Sequence, residues 1–300
     1  MMKRLLILAV LLVGCMGYAH AGACTRYWVG GGSSANWTAT GNTNWGSASD
    51  TRDNAAVPGA SDVVCFDGST NGNTASTLSA SITILELQVA SGYTQTLTHA
   101  AASTLTIAGN VFTLDSGMTY TLGNTATSAL SFTGAGTTVV TPGGKTFGNV
   151  TFNNAGNTFQ LVGTMTLGGT AGFTLTAGTF DAATNTATVL FNGTAHTITA
   201  TAAISFYDLT RTPASAAKTD TWTFAGTGDV TVTHTLTVSN GATVTNRVLL
   251  TSDTIGTART ITTGAGGIAI TNADFKDITL NSTNARTISA AASNGGDGDV

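Results

Sequence analysis

Thr96-Leu97-Thr98 and Thr104-Leu105-Thr106-Ile107 set aliphatic residues between threonines and then break off into Ala, Ser, Asn or Gly. Alternation with a period of two puts the aliphatic side chains on one face of a strand and the threonines on the other. The same texture, as in Thr174-Leu175-Thr176, runs from about residue 75 onward, and no stretch shows convincing helical periodicity. The nearest exception, Thr201 to Thr210, is β-branched and aromatic, which favours a strand. Composition agrees. The 300 residues include 37 glycines, 3 prolines and a single glutamate, Glu86, and a fifth of the chain is threonine. Helix formers are scarce while strand and turn formers abound. Hydrophobic residues make up 42% and charged ones only 9%, which excludes a charged, solvated disordered chain.

Weak internal echoes decide between β architectures. Phe147-Gly148-Asn149-Val150-Thr151 resembles Phe206-Tyr207-Asp208-Leu209-Thr210 and Phe275-Lys276-Asp277-Ile278-Thr279. With coils of about 20–23 residues, each separation reads as three coils of a solenoid. The expected fold is therefore all-β, a right-handed parallel β-helix over residues 75–300, with about ten coils spaced ~4.8 Å apart. Tandem β-sandwiches are the alternative; their echoes would fall about 90–100 residues apart. A solenoid has two ends that invite edge pairing. Residues 24–74 are expected to cap the first. They hold Trp28, Trp37 and Trp45, the last two in Asn-Trp pairs eight residues apart. The second end, finishing in Gly295-Gly296-Asp297-Gly298-Asp299-Val300, carries no capping pattern, so the helix reads as incomplete there or covered by a partner.

The N-terminus reads as a secretion signal over residues 1–23. Lys3 and Arg4 precede the apolar run Leu5 to Val13, and small-x-small sites follow at Ala19-His20-Ala21 and Ala21-Gly22-Ala23. Leu12-Val13-Gly14-Cys15 also resembles a bacterial lipobox, which would lipidate Cys15 and leave a surface-anchored protein. In either case Cys24 and Cys65 remain as an even pair in an oxidising compartment and are expected to form a disulfide. The formal charge is −4 without any basic cluster, so no nucleic-acid partner is expected. No later stretch reaches the roughly 18 apolar residues of a membrane span.

The signal, the RYWVGG…NW…NW…VP…D..CFD block and the Thr/Gly-rich strands together resemble bacterial secreted or surface β-helix proteins of the adhesin and autotransporter-passenger kind. The opening block carries the resemblance; the rest is texture shared by many solenoids. The resemblance implies an extracellular adhesive or scaffold protein and brings no catalytic residue with it.

Candidate chemistry is sparse. Glycoside hydrolysis needs two carboxylates about 5–10 Å apart, and the nearest groupings are Asp208 with Arg211 and Asp274 with Asp277. Residues three apart on a strand face opposite ways, so the second pair would need a turn between them. His99, His196 and His234 are scattered without metal or triad spacing, and His20 leaves with the signal. Thr133-Gly134-Ala135-Gly136 lacks the Lys-Ser/Thr of a phosphate loop. Asp297 and Asp299 are a weak calcium pair. Trp28, Trp37 and Trp45 either stack on sugar rings or form the core of the cap; Trp222 reads as an inward strand residue. Repeated Thr-x-Thr on one flat face would suit ice binding, but its starts fall at irregular intervals. The resulting expectation is a secreted, non-enzymatic adhesin-like or structural module with a glycan or cell-surface ligand and no cofactor. A polysaccharide lyase or hydrolase and an ice-binding solenoid are the alternatives.

Overall fold

The computed structural model of the protein describes residues 21–39, 43–213, 219–239, 247–282 and 286–288. Their regular structure is all strand, wound into about 8 stacked turns of a parallel β-solenoid. Strands stack into three faces. The first runs through Thr104–Ile107, Ala129–Phe132, the starts of Asn149–Leu161 and Gly172–Asp181, His196–Ala200 and Thr219–Gly226. The second runs through Val63–Phe66, Glu86–Val89, Val111–Thr113, Thr137–Thr141 and the ends of the same two long strands. The third includes Thr96–His99 and Thr119–Leu122, then Thr164–Gly169, Thr188–Gly193, Asp208–Pro213 and Thr235–Val238.

Alternation places the residues as the threonine pattern demands. Leu105, Leu130, Val150, Phe173 and Ile198 occupy one inward row of the first face and are buried. Phe132, Phe152, Phe173 and Phe206 form a ladder through the interior, with centroids 5.1, 5.2 and 5.4 Å apart in succession. Each ring is dry and adds the offset or edge contacts that aromatic pairs favour. A sandwich would require antiparallel sheets, whereas the one antiparallel pair among the described strands joins Arg26–Trp28 to Trp45–Gly46.

Two sequence expectations need correction. Coils are longer and less regular than 20–23 residues. The register advances by 20 residues from Ala129 to Asn149 and by 28 from Trp222 to Leu250, so the stack has about 8 turns instead of ten. The Phe-x-Asn/Asp echoes are not one position seen every third coil. Phe147 ends a strand of the third face and Phe206 one of the second, and Phe275 stands one residue before the end of one of the first. In each case the chain then turns a corner, at Gly148, Tyr207 and Asp277. The echo is a corner motif: a buried Phe fills the interior before the bend, and an aliphatic residue resumes the next face.

The opening segment sits at the first end of the stack. Arg26–Trp28 pairs with Val63–Phe66 in parallel, and Val63–Phe66 pairs with Glu86–Val89 of the following coil. Outermost lies the two-residue strand Trp45–Gly46, which leaves very little open edge. Cys24 and Cys65 are joined as expected, with Cα atoms 5.8 Å apart. The expected features of Gly295 to Val300 lie outside the described residues.

Candidate functional site

Trp28, Trp37 and Trp45 were the sequence candidates for sugar stacking, and all three are 0% exposed. Trp45 meets Trp28 and Trp37 edge-on at 5.2 and 5.3 Å. Phe66 stacks on Trp28 at 5.6 Å and meets Tyr93 at 4.9 Å, which carries the cluster into the first coils. The indole N–H of Trp28 donates to Thr74, and that of Trp45 to the Trp37 carbonyl. No ring face is left for a glycan, so the sugar-stacking reading gives way to the core reading. Burial pushes the Tyr93 phenol up to about 12, and its hydroxyl donates to the Thr74 carbonyl.

Beside this core the run Gly30-Gly31-Gly32 borders an open recess of about 160 Å³, with Trp28, Ser34, Asn44 and Thr74 among its walls. Asn44, 1% exposed, fixes the loop from beneath. Its Oδ1 accepts from the Gly32 N–H at 2.8 Å, and its Nδ2 donates to the Ser34 and Asn36 carbonyls. This explains the second Asn-Trp pair chemically: Asn44 organises the loop while Trp45 fills the core. Sequence reading passed over the recess, although three consecutive glycines followed by a buried-type Asn were its visible signal.

The paired-carboxylate candidates are separated by the fold. Arg211 points inward at 0% exposure and binds Asp220, while Asp208 points outward and meets His234 Nδ1 at 2.7 Å. Three residues apart on one strand, Asp208 and Arg211 face opposite ways. The guanidinium also donates to the Phe191, Gly193 and Thr212 carbonyls. Asp220 accepts the Ala195 N–H at 2.7 Å, so the ion pair ties the corner at 193–195 to the next coil. Burial brings the Arg211 pKa down to about 10 and that of neighbouring His196 to about 4, where Arg211's charge also disfavours a second cation. A turn does lie between Asp274 and Asp277, since Asp277 has φ +54°. Yet Asp274 binds Arg247 and Asp277 accepts the Gly256 N–H, so each serves a different neighbour.

The histidines are also engaged, each through at least one ring nitrogen. His99 Nε2–H donates to the Ser103 carbonyl, leaving Nδ1 to accept from Tyr120 at 2.6 Å; burial lowers its pKa. His196 Nδ1–H donates to the Ala171 carbonyl, and His234 stacks on Tyr207 at 4.7 Å. Trp222 is buried beside Phe191, as an inward strand residue should be. Among the described residues no three His, Cys, Asp or Glu side chains are grouped to hold a metal ion. No described helix is long and apolar enough to cross a membrane. Cys15, Asp297 and Asp299 lie outside the described residues.

Outside the wall, the first face carries what the irregular sequence spacing concealed. Thr83, Thr106, Ser131, Thr151, Thr174 and Thr199 are successive register partners, one per coil over six coils. Because loop lengths vary while strand register does not, unequal intervals in sequence become one straight file in space, at the ~4.8 Å strand spacing. Among the described residues, none of the six hydroxyls bonds to another protein group. The neighbouring outward file reads Thr104, Ala129, Asn149, Gly172, Thr197 and Thr223, so it is broken in the middle. No protein-family model, curated protein or solved structure matches this chain.

Proposed function

We propose that the protein is a secreted or cell-surface rod that acts without catalysis, as an adhesin-like or structural module contacting glycans through its outer wall. One contrast carries this reading. Several of the groups able to move protons are spent on architecture, as with Asp220 on Arg211, Asp274 on Arg247 and Asp253 on Arg259. Hydroxyls in register on the outside are left unengaged. Such a wall offers repeated donors and acceptors to an extended ligand and no acid–base pair to cleave it. The resemblance of the opening block to bacterial surface β-helix proteins supports the same assignment, with residues 24–74 as the cap. Co-sedimentation of the full chain with insoluble polysaccharides and host glycans tests it. The expected result is retention on at least one polymer with its chain length unchanged; shortening of the polymer would instead establish a polysaccharide-active enzyme.

The six-hydroxyl file favours one second reading, an ice-binding surface. Flat, ordered hydroxyls in register suit a lattice of water, although the companion file is interrupted at Ala129, Asn149 and Gly172. Arrested growth of an ice crystal in the presence of the chain, lost with Thr151→Lys, would support it. Unaltered growth would remove it.

A further inference from the structure

We propose that processing cuts the chain between Ala21 and Gly22, and that the new α-ammonium of Gly22 is the ion-pair partner of Glu86. The inference rests on the reading of the N-terminus as a secretion signal. It goes beyond that reading by assigning the bond that is cut and the role of the end that is made. By residue type, the small-x-small sites permit a cut after Ala21 or after Ala23, and the lipobox permits one before Cys15. The contacts of Gly22 distinguish these.

Glu86 is the single glutamate of the sequence and is only 6% exposed. Its Oε2 accepts from the Gly22 backbone N–H at 2.8 Å and from Gln88 Nε2 at 3.0 Å. Gln88 Nε2 also donates to the Gly22 carbonyl at 2.9 Å, so Gly22 is gripped at both its N–H and its C=O. Among the described residues no basic side chain pairs with Glu86, whereas Asp62, Asp208, Asp220, Asp253 and Asp274 each have one. A buried carboxylate without a cation is costly. A free amine in place of the Gly22 amide puts a positive charge on the atom that already lies 2.8 Å from the carboxylate.

The surrounding strands hold this end in place. Val63–Phe66 lies between Arg26–Trp28 and Glu86–Val89, with Val63 opposite Glu86 and Cys65 opposite Gln88. The Thr25 N–H donates to the Val63 carbonyl at 3.0 Å, and the Cys24–Cys65 disulfide fixes the chain two residues beyond Gly22. Ordering the new terminus therefore costs little beyond what the disulfide already imposes. The position also fits glycine closely: a Cβ there would lie 3.0 Å from Val63 Cγ2 and 3.3 Å from Glu86 Oε2. A cut after Ala23 would remove Gly22 and strip Glu86 of this contact, and lipidation at Cys15 would leave Gly22 a neutral amide. The step itself is a hydrolysis. A signal peptidase adds water across the Ala21–Gly22 bond, leaving a carboxylate on Ala21 and an amine on Gly22 that takes up a proton at neutral pH.

The test expresses the full-length chain with its own N-terminus in a bacterial host and reads the exported protein by intact mass and N-terminal sequencing. A chain starting at Gly22 is expected. A start at Cys24, or at a lipidated Cys15, would overturn the proposal and leave export standing. An uncut chain kept in the cytoplasm would overturn both the proposal and the secretion reading. A thermal-melting cycle then probes the pair itself. The chain starting at Gly22 is compared with one starting at Ala19, which keeps the Gly22 N–H without its charge, each with and without Glu86→Gln. The substitution is expected to lower the melting temperature of the Gly22 form by about 2–4 °C, and that of the Ala19 form by clearly less. Equal losses in the two forms would make Glu86 a plain hydrogen-bond acceptor and overturn the ion pair.

Discussion

The opening segment and the coils behind it reach stability by opposite means. Residues 24–74 combine one disulfide, one antiparallel pair, three indoles with Trp45 edge-on to the other two, and an asparagine whose side chain makes three loop hydrogen bonds, each a particular residue in a particular place. The coils repeat one device: an inward aliphatic or Phe, an outward hydroxyl and a corner. A rod's interior is closed by its neighbours, whereas its end has no neighbour and must be closed by the chain's own chemistry. Among the described residues of the body, the buried pair Arg211–Asp220 is a comparably singular contact, and it ties down the corner at 193–195.

That contrast makes graded predictions. The largest effect is expected for Trp45→Ala, which removes a ring touching Trp28, Trp37 and Phe66. It should cost about 3–5 kcal/mol in denaturant unfolding, with loss concentrated in the opening segment and first coils. Opening the disulfide with Cys24→Ser and Cys65→Ser together should cost about 4 kcal/mol, from the loop of 41 residues that it closes; the same melts under reductant check it. An effect as large from the body's Leu175→Ala, but spread over distant coils, would break the contrast.

Acid should act on the body. Burial holds the His196 pKa at about 4 against 6.5 in a free side chain, so the unfolded chain takes up the proton first. Stability from this group is present above about pH 6.5 and is lost as pH falls toward 4, by about 3 kcal/mol in all. His99, lowered in the same direction, adds to it. Melting across that range, compared with His196→Gln, measures the share of each. The smallest effect belongs to the outer file: Thr151→Val should change stability by no more than about 0.5 kcal/mol, while weakening retention on any polymer bound by that face.

The sequence made the strands legible because Thr-Leu-Thr alternation reports directly on which side chains face inward, as Leu97 and Leu105 do. The disulfide was legible from an even cysteine pair left once the N-terminal segment is read as a signal. Periodicity was not, because coil length varies with the loops while register depends on strand pairing. For the same reason the Phe-x-Asn/Asp echo passed for a period when it marks corners, and the hydroxyl file passed for scattered threonines. The tryptophans were recognised as a group, but a sequence does not say whether an indole is covered; Phe66 and Tyr93, far along the chain, decide that.

Residue-resolved hydrogen exchange on the intact chain and on the Cys24→Ser, Cys65→Ser variant tests most directly whether a chemically specified end closes a uniform stack. The account predicts uniform protection along the coils of the intact protein. In the variant, protection should fall in residues 24–113 and persist in strands such as His196–Ala200 and Thr235–Val238. Equal loss of protection in every coil, or none in the opening segment, would contradict it.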